Sequence, residues 1–240
     1  MLPAYNEENR VGQLLDSIDE TLYEAGFPYH VVVVDDGSTD RTADVVEERS
    51  RQMPVTLMSH SRNKGLGETI RDGLDAAATL ADEKDVILTM DADDTHLPGL
   101  ILRMARMIWE GHDVVIASRY QPGSRTIGVP LLRRFLSYSG SFFLRVVFPT
   151  PGVKDFTCGY RAYRAAVLKE AIAFYGSEFL NQEGFECMVD ILLKLRRLNI
   201  IFGEVPMILR YDRKQGVSSM KIARTIVSTF RLIIRRRFRG

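Results

Sequence analysis

Two clusters of carboxylates carry the residue types for phosphate and metal chemistry. Asp91, Asp93 and Asp94 fall within four positions, directly after the apolar run Val86-Ile87-Leu88-Thr89-Met90. Asp35 and Asp36 likewise follow four valines, Val31 to Val34. Like charges crowded at the end of a buried segment repel and cost desolvation. A hard divalent cation that also takes phosphate oxygens relieves that cost. A solvated, Asp-rich turn is the alternative for either cluster alone. A cationic candidate, Arg119, follows Val114-Val115-Ile116-Ala117, and a guanidinium fork matches the geometry of a phosphate.

The elements that position these groups follow from periodicity. Val86 to Met90 and Val31 to Val34 read as strands buried on both faces. Val11, Leu14, Leu15, Ile18 and Leu22 share one face of a predicted helix over Asn6–Glu24, with Asn6 as its N-cap. A second helix is predicted from about Arg41, a short strand over Met53–Met58, and helices over Ile70–Leu80 and Leu97–Glu110. Trp109 is assigned to core packing. Asn63-Lys64-Gly65-Leu66-Gly67 reads as a turn whose G-x-G, without a third glycine, is weak evidence for a dinucleotide fingerprint. Strand–helix alternation implies βαβ units and a mostly parallel sheet. In such sheets ligands sit beyond the carboxyl ends of the strands, so both acidic clusters and Arg119 are expected at one crevice. Only Met1 and Leu2 precede Pro3, so most of a first strand closed by Pro3 is expected to be absent from this chain.

Composition narrows the class. The 240 residues are 45% hydrophobic and 26% charged with a formal net charge of +1, an ordinary globular balance with nothing global pointing to nucleic acid. Cys158 and Cys187 are the only cysteines, read as two buried thiols in a reducing compartment. No signal peptide is expected before the first motif, and uncharged runs are too short to span a bilayer. His30, His60 and His112 lack metal-ligand spacing and are assigned structural roles.

Several motifs in order carry a resemblance. Pro3-Ala4-Tyr5-Asn6-Glu7-Glu8, Val34-Asp35-Asp36-Gly37-Ser38-Thr39-Asp40, Asn63-Lys64-Gly65 and Asp91-Ala92-Asp93 resemble glycosyltransferase family 2. Ser118-Arg119-Tyr120, Asp155 to Arg161, Glu204-Val205-Pro206, and Arg213 with Gly216 and Ser218 are most similar to its polyprenyl-phosphate sugar transferases, the dolichol-phosphate mannose synthase type. The resemblance implies an α/β GT-A fold with a Rossmann-like, mostly parallel sheet flanked by helices. It implies one catalytic domain over 1–220, with a nucleotide-binding half to about 118 and an acceptor half over about 119–220. The implied donor is a nucleoside diphosphate sugar, GDP-mannose or UDP-glucose, held by Pro3, Tyr5, Glu7, Asp35, Asp36, Asp91 and Ala92. Asp91, Asp93 and Thr95 are the implied ligands of Mg²⁺ or Mn²⁺. Where many relatives have Gln, this chain has Thr95 beside His96, so Thr95, His96 or water could complete the metal shell.

The implied acceptor is polyprenyl phosphate, held by Arg119, Arg133, Arg213, Ser218 and Lys221, with Asp93, Arg119, Arg133 and Arg213 as catalytic residues. The family's Gly-x-Ser-Lys pattern is altered here, the lysine falling two positions late. Asp155 and Arg161 either pair across a turn or line the sugar pocket. Asn181–Asp190 reads as a helix. A rival reading, a hydroxyl acceptor, needs a carboxylate base, with Asp155 or Glu186 as candidates; a non-catalytic nucleotide-sugar or lipid-binding module is the other.

Two segments speak of membranes. Leu131–Phe148 mixes large apolar residues with Arg133, Arg134 and Arg145, and reads as an interfacial amphipathic helix or one packed on the domain. In the 221–240 tail, Ile222, Ile226, Val227, Phe230, Ile233 and Ile234 share one helical face. Lys221, Arg224, Arg231, Arg235 and Arg239 lie opposite, a pattern that suits an anionic membrane surface. A peripheral location on the cytoplasmic face of a membrane is expected, and a separate membrane-anchor subunit is left open. RNA binding by the Arg-rich tail is disfavoured, because no aromatic stacking platform accompanies it.

Overall fold

The computed structural model of the chain describes residues 1–213 and 222–238. In order the elements are β1 (Leu2–Ala4), α1 (Val11–Glu24), β2 (Val31–Asp35), α2 (Thr42–Ser50), β3 (Val55–Ser59), α3 (Leu66–Leu80), β4 (Val86–Thr89), α4 (Leu100–Trp109) and β5 (Val114–Ser118). Then come β6 (Arg125–Ile127), α5 (Leu131–Val147), β7 (Arg161–Arg164), α6 (Ala165–Tyr175), α7 (Cys187–Leu195), β8 (Phe202–Pro206), β9 (Ile208–Arg210) and α8 (Ile222–Phe238). Short 3₁₀ turns lie at Gly176–Glu178, Arg196–Leu198 and Tyr211–Arg213.

The valine run of β2 and the apolar run of β5 are buried at every position, because helices cover both faces of the sheet. β1, β2 and β3 pair in parallel. Met1 then bridges to the next strand: its nitrogen donates to Leu88 O at 2.6 Å, and Met90 N donates to Met1 O at 3.2 Å. That is a parallel bridge, so the strands run in the order β3-β2-β1-β4-β7-β5-β8. β7 is the reversed strand, antiparallel to both β4 and β5, and β8 is parallel to β5. The carboxyl ends of β1, β2, β4 and β5 therefore share one edge.

The helices seal the faces. Val11, Leu14, Leu15, Ile18 and Leu22 of α1 are all buried, and fully burying such side chains stabilises by about 1.5–3 kcal/mol each. The amino end of α1 differs from expectation. The helix begins at Val11 and Asn6 sits in the left-handed region at φ 57°. Its side chain turns away from α1 and accepts from Thr39 N at 2.8 Å, while Asn6 N donates to Ser38 Oγ at 2.8 Å. A contact between two loops displaced the local cap. α7 starts at Cys187, so Asn181–Glu186 is not helical. Trp109 is half exposed against Phe27 rather than in the core.

Candidate active site

β4 delivers Asp91 and Asp93 to the shared edge, and the chain then reverses at Asp94, which takes φ 56°. The turn is held by its own side chains. Asp93 Oδ1 accepts from Thr95 Oγ1 at 2.7 Å and from Thr95 N at 3.2 Å. Asp91 N donates to His96 Nδ1 at 3.3 Å, and the other ring nitrogen lies 3.9 Å from Asp91 Oδ2. His96 stacks on Tyr160 at 5.1 Å. Because Nδ1 must keep its lone pair to accept from a backbone N–H, His96 orients Asp91. The buried carboxylate of Asp94 pairs with Arg213 at 3.2 Å.

β5 delivers Arg119. The Asp155 carboxylate is wholly buried and accepts from Arg119 Nε at 2.8 Å, Nη2 at 2.7 Å and the backbone N at 3.1 Å. Thr157 Oγ1 also accepts from Nη2 at 2.6 Å. Burial raises a carboxyl pKa, but here the Arg119 charge and its hydrogen bonds outweigh it and hold Asp155 below the usual carboxylate range. The guanidinium is correspondingly tightened above its ordinary value: burial opposes its charge, and Asp155 more than offsets that. The expected alternative of an Asp155–Arg161 pair is not what forms. Arg161 is buried elsewhere and donates to Met188 O at 2.7 Å and Phe156 O at 2.8 Å.

α5 delivers Arg133, which donates to the Tyr211 hydroxyl and lies 5.2 Å over that ring. Tyr120 Oη and Ser137 Oγ, 2.8 Å apart, tie the end of β5 to α5.

These groups meet on one cavity of about 1310 Å³. Asp91, Asp93, Thr95, His96, Arg119 and Arg133 line it, and it extends into an apolar groove between α5 and α8 bounded by Phe135, Leu136, Phe143, Phe230 and Ile233. Pro3, Tyr5, Glu7, Asp35, Asp36, Ala92 and Arg213 lie outside its lining. Pro3 is in β1 opposite Val34, Tyr5 is exposed beyond the strand and Ala92 is buried. Glu7 N donates to Thr42 Oγ1 at 2.8 Å, fastening that loop to α2. The Asp35 carboxylate accepts from Ser38 N at 3.1 Å. Asp36 accepts from Lys64 N at 2.8 Å, Gly65 N at 2.9 Å and His60 Nδ1 at 2.7 Å, and His60 Nε2 reaches Asp72 at 3.0 Å. Asp36 thus holds the Asn63–Gly65 turn, a role that spacing alone did not reveal. Ser218 and Lys221 lie outside the described residues.

The donors at Asp91 and Asp93 suit a hard cation: they are carboxylate oxygens, and Gly159 leaves room beside them. A Cβ at Gly159 would stand 3.2 Å from Asp91 Oδ1. Among the described residues no group of three His, Cys, Asp or Glu side chains forms a metal cage. A site of one or two carboxylates completed by water and phosphate oxygens is how Mg²⁺ is commonly bound. Cys158, on the cavity wall, has its thiol pushed up to about 12 by burial, then by Asp155, and is no nucleophile.

Missed by spacing were Asp155 as the clamp on Arg119, Asp94 as the partner of Arg213, and Tyr211 beneath Arg133. Each is a contact between distant segments, without a local signal.

Comparison with known proteins agrees with this architecture. Residues 1–172 match the profile of Glycosyl transferase family 2. A dolichol-phosphate mannosyltransferase of Pyrococcus furiosus is 33% identical over 98% of this chain, which spans 62% of that protein's length. An undecaprenyl-phosphate mannosyltransferase of Micrococcus luteus is 31% identical over 100% of this chain and 95% of its own. Among solved structures, glucosyl-3-phosphoglycerate synthase from Mycobacterium tuberculosis, in complex with Mn²⁺, UDP and phosphoglyceric acid, superposes with a TM-score of 0.67 at 17% identity, covering 98% of this chain and 75% of that one. Matched by the family profile over residues 1–172, by relatives along nearly its whole length and by a superposable solved structure, the chain belongs to glycosyltransferase family 2 and has the GT-A fold.

Proposed function

We propose that this chain transfers a hexose, mannose in preference to glucose, from a nucleoside diphosphate sugar to polyprenyl phosphate with inversion at the anomeric carbon. One observation carries the reading: the carboxylates of Asp91 and Asp93 and the guanidinium of Arg119 line a cavity that continues into an apolar groove. A charged head and a hydrocarbon tail on one acceptor suit those two parts. The choice of mannose draws on the names of the two mannosyltransferase relatives. Residues to about 118 would hold the nucleotide, including Pro3, Tyr5, Glu7, Asp35, Asp36 and Ala92 at neighbouring strand ends. Residues from about 119 would hold the acceptor, with Arg213, Ser218 and Lys221 contributing.

A phosphate monoester is ionised at neutral pH and needs no base to become a nucleophile. One of its oxygens bonds to the anomeric carbon as the bond from that carbon to the diphosphate breaks, the electron pair leaving with the diphosphate. Arg119 and Arg133 orient the acceptor phosphate and offset its charge. Mg²⁺ or Mn²⁺ bound by Asp91 and Asp93 would supply charge neutralisation to the departing diphosphate. Thr95 holds the Asp93 carboxylate, and His96 holds the backbone that carries Asp91. The hydroxyl-acceptor rival has less support, because neither candidate base lines the cavity. Asp155 is committed to Arg119, and Glu186 accepts from Ser228 Oγ at 3.0 Å.

The exposed apolar residues of α5, including Leu131, Leu132, Phe135, Phe142 and Val146, would rest on a membrane surface beside the groove. No described helix is long and apolar enough to cross a membrane. The test is transfer of radiolabelled sugar from GDP-mannose or UDP-glucose to undecaprenyl phosphate, with and without Mn²⁺. A metal-dependent product that extracts into organic solvent and is cleaved by mild acid is expected. Label moving only to a water-soluble acceptor would exclude the reading.

A further inference from the structure

We infer that Glu204 is a positioning residue for the acceptor phosphate, acting through Asp155 on Arg119. The inference rests on the reading of Arg119 as an acceptor ligand. β8 runs parallel to β5 with Glu204 opposite Ile116, so Glu204 sits one strand away from the chain that leads to Arg119. Its Oε1 accepts from Lys154 N at 2.6 Å and Asp155 N at 2.7 Å. One carboxylate oxygen therefore fixes the backbone on which Asp155 stands. Asp155 in turn takes both the Nε and Nη2 of Arg119, and Thr157 takes Nη2 again. That edge of the guanidinium is consumed within the protein. Nη1 has no hydrogen-bond partner among the described residues, while the Arg119 side chain lines the cavity.

Two consequences follow. Arg119 meets a phosphate through one nitrogen, not through a two-nitrogen fork. Its placement also depends on a carboxylate that touches neither ligand nor metal. A structural brace for the sheet alone would not require a second carboxylate within reach of the charge of Asp155, steadied besides by the Ser118 hydroxyl, because two buried like charges oppose each other. The oxygen that makes the two backbone contacts is the part that positions Arg119, and glutamine supplies an equivalent oxygen.

The experiment measures affinity for farnesyl phosphate and, separately, for the nucleoside diphosphate sugar, by calorimetry on the full chain. Glu204→Ala is expected to weaken farnesyl phosphate binding roughly tenfold, the effect of about one charge-assisted hydrogen bond. Donor affinity should stay within about twofold, and Glu204→Gln should restore acceptor binding to within about threefold. Thr157→Val, at an exposed position, should weaken acceptor binding about threefold without lowering the melting temperature, which checks the hold on Arg119 separately, while Glu204→Gln keeps the relay testable if Glu204→Ala fails to fold. Loss of donor and acceptor affinity together in Glu204→Ala, or acceptor binding in Glu204→Gln weakened as far as in Glu204→Ala or by more than about tenfold, would overturn the relay. If Arg119→Ala binds farnesyl phosphate as the wild type does, the acceptor reading itself fails and the inference falls with it.

Discussion

At Asp93 one carboxylate oxygen is already engaged by Thr95 through both its hydroxyl and its backbone nitrogen. Such a side chain is pre-aimed, so removing it deletes a donor group without loosening the core. Asp93→Ala should abolish transfer and weaken donor binding, whereas Arg119→Ala should leave donor affinity intact and raise the acceptor KM at least tenfold; steady-state kinetics with each substrate varied separates the two. Glu204 yields a pH prediction. Burial, aided by the Asp155 charge, raises its pKa, outweighing the two backbone N–H groups and the Ser118 hydroxyl that stabilise its charge. Because the folded-state pKa is raised, the protonated form contributes stability below the unfolded pKa of about 4.3, and this is lost as pH rises through the folded value. Glu204→Gln should therefore gain melting temperature over the wild type as pH climbs from about 4 to 7, by about 2–4 °C for each kcal/mol of relief. A gap that narrows with rising pH would contradict the burial argument.

Among elements, the seam between α7 and α8 has its own energetics. Asp190 is buried and accepts from Arg236 of α8 at 2.7 Å and from Lys194 one helical turn away at 2.5 Å. Lys194, equally buried, also donates to Phe179 O at 2.9 Å. Asp190→Ala would strand two cations, a loss of about 3–5 kcal/mol, to be read from urea unfolding. This contact also recasts the tail. Leu232 and Ile233 of α8 are buried while Val227, Phe230 and Ile234 remain exposed, so the apolar face is divided between the protein and its surroundings. A second seam joins α3 to the loop before α7. Gly67 N donates to Glu183 O at 2.9 Å, and a Cβ at Gly67 would stand 1.7 Å from Gln182 O. Gly67→Ala must push the 182–184 loop off α3, and a melting temperature equal to the wild type would show that the loop yields freely.

For the molecule as a whole, α5 and α8 place apolar side chains and arginines on one side of the cavity. Phe143 and Phe230 stack 6.5 Å apart across the two helices. If that side meets a bilayer, Phe135→Ser and Phe142→Ser should each lower partitioning onto anionic vesicles by about tenfold, the effect of withdrawing one large apolar side chain. Arg231→Gln with Arg235→Gln should weaken binding by about 1 kcal/mol per charge and flatten its salt dependence. Sedimentation with vesicles of defined phosphatidylserine content checks both.

Much of the architecture was legible because burial writes itself into local pattern. The valines of β2, the five apolar positions of α1 and the run of β5 each specify an element and a face without reference to the rest of the chain. Strand–helix alternation then fixes which edge carries Asp91, Asp93 and Arg119. Pairings across long separations leave no such trace. Asp155 is 36 residues from Arg119, Asp94 is 119 from Arg213, and Asn6 left its own helix for a loop 33 residues on. Only tertiary structure decides those, because a buried charge takes whichever partner the folded backbone brings within hydrogen-bonding distance, and that geometry is not periodic in the sequence.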